Sequence, residues 1–212
     1  MITAGLVILA DVAITLAWKE PLSSLYATVL QSRADDDVTR LESGFPRASG
    51  RAQTRLRRAA HRLANRFEAE VQQGQGIGFI QIPAIDADYA LIEGVDLDEL
   101  QSGPGRYSSA ALPGQGETVA VAGHRTTFLA PFRHIDELEP GDEVTIEMPY
   151  ASFNYSVDHS RIVEPDQLEV VRPVGRERLV LTACHPLHSA AERYVVFAEL
   201  EFVAEREDTA PS

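Results

Sequence analysis

From Gly76 to Val203 the chain is written in short β-rich runs separated by turn-forming residues, and this pattern constrains the fold most. The runs are GIGFIQIPAI, ADYALIEGV, ETVAVAGH, DEVTIEM, SFNYSVDH, RLVLTAC and YVVFAELEFV. Two of them alternate cleanly. Val144, Ile146 and Met148 share one face of their run, with Thr145 and Glu147 on the other. Phe153, Tyr155 and Val157 do the same against Asn154, Ser156 and Asp158. Successive side chains of a strand point to opposite faces, so a period of two marks a sheet with one face in a core. Many short runs of this kind predict a mainly β domain, either a sandwich or a closed barrel. Gly103-Pro104-Gly105, Leu112-Pro113-Gly114 and Glu139-Pro140-Gly141 punctuate it as turns. DLDELQSG (96–103) and PFRHIDEL (131–138) read as short helical turns, and no internal repeat is present.

Ahead of this region lie two zones of different character. Residues 2–18 are apolar apart from Thr3, Asp11 and Thr15. That length is near the lower limit for a membrane-spanning helix. Asp11 near its middle costs about 2.5–3.5 kcal/mol on insertion scales, partly offset by Leu, Ile and Val. There is no basic segment before the run and no small-x-small site after it, so a cleaved signal peptide fits less well. The favoured reading is a signal anchor over 1–18, with Trp18 at the membrane edge; a buried core helix is the alternative.

Residues 19–75 read as a linker and a basic stalk helix, 76–203 as the β domain, and 204–212 as a polar tail. ADDDVTRLESGFPRASG (34–50) has the composition of a polar linker, and Asp35-Asp36-Asp37 is most simply solvated within it. Farther on, Leu56, Ala60, Leu63 and Phe67 fall at helical spacing, surrounded by Arg51, Arg55, Arg57, Arg58, Arg62 and Arg66. Such a helix either rests on anionic headgroups or acidic wall polymers, or is a solvated stalk with one face against the domain. The second reading is preferred.

With a net charge of −13 and no basic patch interleaved with aromatics, nucleic acid is not an expected partner. Cys184 is the sole cysteine, which excludes an internal disulfide and any zinc ribbon or finger. A lone thiol is either a small buried hydrophobe or a nucleophile.

Its surroundings point to the second. Cys184 ends the run RLVLTA, His124 ends VAVAG, and Arg193 opens YVVFAELEF. If those strands are neighbours, their ends bring the three residues to one rim of a barrel. A free thiol is little ionised near neutral pH, so a nucleophilic cysteine needs a base or a positive charge beside it. His124 suits that role and the later protonation of a leaving amine. Arg193 offers a permanently charged, rigid fork of donors for a developing oxyanion. The chemistry that follows is acyl transfer through a thioester.

The wording around these residues resembles the sortases, membrane-anchored cysteine transpeptidases of Gram-positive bacteria. LTACHPLHSAAERYVV is similar to their cysteine motif, T-L-x-T-C, with an arginine nine positions on. AVAGHRTTFLAPFRHIDELEPGDEV resembles their histidine region, and GPGRYSSAALPGQGE the Gly-Pro-Gly-His-Tyr segment that precedes it. Order and spacing look most like class E of actinobacteria, with class D as near neighbour, over roughly residues 77–203. The resemblance implies Cys184 as nucleophile, His124 as general acid/base and Arg193 as stabiliser of the transition state. It implies a closed, mostly antiparallel β-barrel with short helices. It also implies cleavage of a C-terminal LAxTG- or LPxTG-type sorting signal between Thr and Gly, without cofactor or metal. The acyl group would pass to an amine of a peptidoglycan precursor or a pilin, from a barrel anchored on the extracellular face of the membrane.

The chain departs from the motif at Val180 and Ala183, where threonines are usual, and at Arg106, where histidine is common. The threonine before the cysteine helps line the family's active site, so Ala183 is expected to weaken contacts there. Arg125 is expected to pair with an acidic neighbour. A metal site from Cys184, His188 and His124 is conceivable on donor type, but zinc there would block the thiol. The Ser-His-Gly-Cys-x-Arg motif of L,D-transpeptidases is absent, and papain-like enzymes place cysteine before histidine, the reverse of this chain. The rival reading is a non-catalytic module that binds sorting-signal peptides or a wall component.

Overall fold

The computed structural model describes residues 21–50 and 52–206. The expected anchor at 2–18, with Trp18, and residues 207–212 of the expected tail lie outside the described residues. Among the described residues no helix is long and apolar enough to cross a membrane.

All the β-rich runs read from the sequence are strands: β1 (Gly76–Ile82), β2 (Ala87–Glu93), β4 (Thr118–Ala122), β5 (Glu143–Met148), β6 (Ala151–Val163), β7 (Arg178–His185) and β8 (Glu192–Ala204). A two-residue strand, β3 (Gly105–Arg106), completes a closed barrel in the order β1-β2-β3-β4-β7-β8-β6-β5. Neighbours are antiparallel except β2 with β3 and β4 with β7, which run parallel.

Alternation decides which side chains fill the barrel. Val144, Ile146 and Met148 of β5, and Phe153, Tyr155 and Val157 of β6, join one core with Leu179, Leu181 and Ala183 of β7. The opposite face of β7 and its neighbours builds a second cluster on the outside of the barrel, from Ala120, Val180, Val195 and Phe197, closed over by Val163 and Val170. Thr182 and Cys184 follow Val180 at intervals of two, so they share its outward face.

Helices fall where the short turns were read, α3 at Leu97–Ser102 and a 3₁₀ turn at Ile135–Glu137. The region before the barrel differs from expectation. Most of the anticipated linker is the C-terminal half of a long helix, α1 (Pro21–Gly44). Its buried residues Ala27, Gln31, Ala34 and Val38 recur at three- and four-residue intervals, a narrow seam that its polar composition hides. The helix comes so close to β1 that a Cβ at Gly76 would stand 2.3 Å from the Ala34 carbonyl oxygen, so only glycine fits. Gln31 pairs with β2 as a strand would: its Oε1 accepts from the Ala90 N–H at 2.8 Å and its Nε2 donates to the Ala90 carbonyl at 3.2 Å.

The basic helix α2 (Gln53–Glu68) presents Leu56, Ala60, Ala64 and Phe67 to the domain. One face against the domain is the arrangement preferred from sequence, but the contact is a core contact and not that of a stalk. Phe67 meets Phe45 edge-on at 5.1 Å and Tyr150 at 5.7 Å, and Tyr150 meets Phe153 of β6 at 5.9 Å. Nor does a polar tail start at 204: Arg206 is buried and ion-paired with Glu42 of α1.

Arg106, one of the departures from the resembled motif, is 2% exposed. Its Nε and Nη2 donate to the two carboxylate oxygens of Glu93 at 2.7 and 2.6 Å, and Nη1 donates to the Ala110 carbonyl. This planar fork-to-fork contact locks the shortest strand of the barrel to β2. Arg106→Met leaves the Glu93 carboxylate buried without a partner and should cost about 3–5 kcal/mol in urea unfolding. Adding Glu93→Leu should recover most of it; a single-variant cost below about 1 kcal/mol would rank the pair with exposed ion pairs.

Candidate active site

Cys184 and Arg193 are direct cross-strand partners of β7 and β8. In an antiparallel pair such partners project to the same face with Cβ atoms about 5 Å apart. Cys184 is partly exposed. The Arg193 Nη1 donates to the carbonyls of Ala190 and Glu192, each at 2.9 Å. Those two bonds fix the guanidinium against its own turn and leave its remaining N–H groups without partners among the described residues.

The histidine arrives from the other side of β7. The parallel register of β4 with β7 runs to Ala122↔Thr182, and the Gly123 N–H donates to the Thr182 carbonyl at 3.0 Å. β4 ends at Ala122, and His124 follows two residues beyond it, at the end of β4 that pairs beside Thr182, two residues before Cys184. The chain turns away under tight control. A Cβ at Gly123 would stand 2.5 Å from the fully buried Phe132 ring, and the Phe132 N–H donates to the His124 carbonyl at 3.0 Å. Arg125, 2% exposed, donates from Nη2 to Asp136 at 2.5 Å and from Nε and Nη2 to the Arg133 carbonyl at 3.3 and 3.2 Å. It staples the histidine loop through the acidic partner expected for it.

Beyond Arg125 the loop holds Phe128, Leu129 and Ala130 at φ of 48°, 67° and 46°, a left-handed run that side chains rarely adopt. This turn sets the Phe128 ring 5.4 Å from the His124 ring. The imidazole is half-buried, and its Nε2 is enclosed with no hydrogen-bond partner among the described residues. Desolvation pulls its pKa below the ordinary histidine value of 6.5. Burial therefore favours the neutral form of this ring.

Beside Arg193 the outward cluster opens into a small groove of about 40 Å³, whose walls include Tyr107, Val163, Leu168, Thr182, Arg193 and Val195. The Tyr107 hydroxyl and the Thr182 hydroxyl are 3.1 Å apart. Ala183, by contrast, belongs to the barrel interior and is 4% exposed. The hydroxyl that faces the groove is that of Thr182. Its place was readable two positions before Cys184 on one strand face; that of Tyr107 depends on the pairing of β3 with β4, which left no periodic trace.

Two of the other histidines are engaged away from this arrangement. His134 pairs with Glu137 at 2.7 Å, and His159 pairs with Asp158 at 2.8 Å and stacks on Phe197. His185 lies 5.8 Å from the Tyr194 ring, with its Nδ1 3.4 Å from Arg125. Among the described residues no group of His, Cys, Asp or Glu side chains converges as a metal site.

A family model described as the sortase domain matches residues 80–201. The chain belongs to the sortase family. It is therefore an enzyme of the cysteine transpeptidase kind. It is 31% identical to sortase D of Bacillus subtilis over 139 residues, which cover 64% of this chain and 69% of that one. Among solved structures, sortase E of Streptomyces avermitilis superposes with a TM-score of 0.60 at 30% identity, over 67% of this chain and 98% of that one. A sortase D5 transpeptidase of Clostridium perfringens shares the fold at a TM-score of 0.64 and 24% identity, over 80% of this sortase and 99% of that chain. Likeness to classes D and E agrees with the order of the motifs.

Desolvation is the sole cause of the His124 shift, so the Phe128 ring is the group to remove. Phe128→Ala should move the His124 titration, followed by NMR of its ring protons, upward toward 6.5. A folded pKa below the unfolded one means that the unfolded chain binds the proton more readily. The stability due to this ring is full above about 6.5 and is lost as pH falls below it. An unchanged titration in the variant would assign the desolvation to the barrel wall.

Proposed function

We propose that this sortase cleaves a C-terminal sorting signal between Thr and Gly through a thioester on Cys184 and passes the acyl group to an amine. The observation that carries the reading is the pairing of Cys184 with Arg193 across β7 and β8, and the parallel pairing of β4, whose end leads into His124, with β7 supports it. The thiol proton passes to the neutral His124 imidazole as sulfur attacks the threonine carbonyl. The unused N–H groups of Arg193 stabilise the oxyanion that forms. Collapse expels the glycine amine, which takes its proton from His124 and leaves the thioester. An incoming amine reverses these roles, giving up its proton to His124 and restoring the thiol.

The neighbouring groove, with apolar walls from Val163, Leu168 and Val195, would take one small aliphatic group of the signal peptide, the rest of which lies along the surface. Relatives named sortase D and sortase E support the class assignment. Under it the acyl acceptor is an amine of a peptidoglycan precursor or a pilin. Residues 2–18 are the anchor that holds the barrel at the extracellular face of the membrane.

Incubation of the chain with LAxTG and LPxTG peptides, with and without an amine acceptor, should give a peptide adduct on Cys184 by mass spectrometry that amine discharges. Cys184→Ala should bind peptide and show neither adduct nor cleavage while its melting curve matches the parent. Arg193→Lys should lose about 10²-fold or more in the rate of adduct formation, since an ammonium cannot reproduce the planar fork. Peptide binding by the parent without any adduct would replace the enzyme reading with that of a binding module.

A further inference from the structure

The catalytic reading leaves the arginines of α2 without a purpose. The helix carries Arg55, Arg57, Arg58, Arg62 and Arg66 against a single glutamate, in a chain whose net charge is −13. Several of these cations are placed at intervals that repel: Arg55 with Arg58, Arg58 with Arg62, and Arg62 with Arg66 stand three or four positions apart on one helix. The fold compensates only part of this. Arg66 pairs with Glu70 and Arg57 donates to the Glu201 carbonyl. Arg58 and Arg62 have neither an ion pair nor a hydrogen bond among the described residues.

Both line a cleft of about 530 Å³ between α2 and the barrel, with Arg57, His61 and the apolar Leu200 and Val203 among its other walls. Its volume falls in the range of small-ligand sites. Glu177, at its floor, is already satisfied: its oxygens accept from the Gly114 N–H at 2.8 Å, the Gly116 N–H at 3.1 Å and the Tyr155 hydroxyl at 3.0 Å. It is thus a structural carboxylate and not the partner of the two free guanidiniums. The cleft is also remote from the chemistry. Glu177 immediately precedes β7, whereas Cys184 lies near its far end, about 20 Å along the strand.

We propose that this cleft is a phosphate-binding site that takes the phosphate ester of a small polyol, free or as a lipid headgroup. Two planar guanidinium forks one helical turn apart match the several oxygens of a phosphate, and a second charge rewards the clustering of cations more than a single carboxylate does. Thr54, also in the wall of the cleft, offers a hydroxyl to those of the polyol.

The full chain in a neutral detergent is titrated with sn-glycerol 3-phosphate and, separately, mixed with vesicles of phosphatidylglycerol or phosphatidylcholine. The same is done for the Arg58→Gln/Arg62→Gln variant, whose altered side chains lack partners and whose melting temperature without ligand reports an intact fold. Glycerol phosphate should raise the melting temperature of the parent, and the variant should bind it about tenfold or more weakly, one charge-assisted contact being worth that much. Binding of the soluble ester assigns the site to a free polyol phosphate. Binding of phosphatidylglycerol but not phosphatidylcholine, weakened in the variant, assigns it to a headgroup. Failure of both probes to bind, or equal binding by parent and variant, overturns the proposal, and either result leaves the Cys184 chemistry untouched.

Discussion

The pairing of β7 with both of its neighbours is the constraint on which the proposed site depends. β7 has β4 parallel on one side and β8 antiparallel on the other; β8 sets Arg193 opposite Cys184, and β4 leads into His124. The parallel junction is the demanding one, because parallel neighbours cannot be joined by a tight hairpin. Between Ala122 and Arg178 the chain must travel away through β5 and β6 before returning. That circuit also closes the sheet, so the barrel has no free edge between His124 and Cys184. The hydrogen bonds that close the barrel at β4–β7–β8 are also those on which the proposed site is built.

What the sequence disclosed follows from which signals are periodic. The β-rich runs were legible because half-buried strands advertise themselves by alternation, and the types of Cys184, His124 and Arg193 were legible at their ends. β3 is two residues long and can show no period. α1 was concealed because its buried seam is made of Ala27, Gln31, Ala34 and Val38, residues too small or too polar to register as an apolar stripe. The same difficulty affected Ala183: motif comparison set it in the active site, yet strand alternation turns it inward and gives the groove-facing hydroxyl to Thr182. Tyr107 meets Thr182 across a pairing that only the folded chain reveals.

Arginine serves two opposite ends in this molecule. Arg106, Arg125 and Arg206 are buried, and each meets a carboxylate: Glu93, Asp136 and Glu42. A buried guanidinium tolerates such a position only when its donors are matched, so these three act as directional rivets at β3, the histidine loop and the C-terminal end. On α2 the same residue type is left in water and unmatched at Arg58 and Arg62. Composition alone cannot separate these uses; position relative to the core does.

The aromatic stack of Phe45, Phe67, Tyr150 and Phe153 bears on where this molecule can be cut. Two of its rings belong to residues before the matched family region of 80–201, and two belong to the barrel. The Arg206–Glu42 pair similarly ties the last described residue to the first helix. The smallest piece that folds is therefore larger than the smallest piece that carries the reactive residues. Trimming to the conventional boundaries would bare one side of a hydrophobic stack, and any loss of turnover in such a fragment would speak of cohesion and not of chemistry.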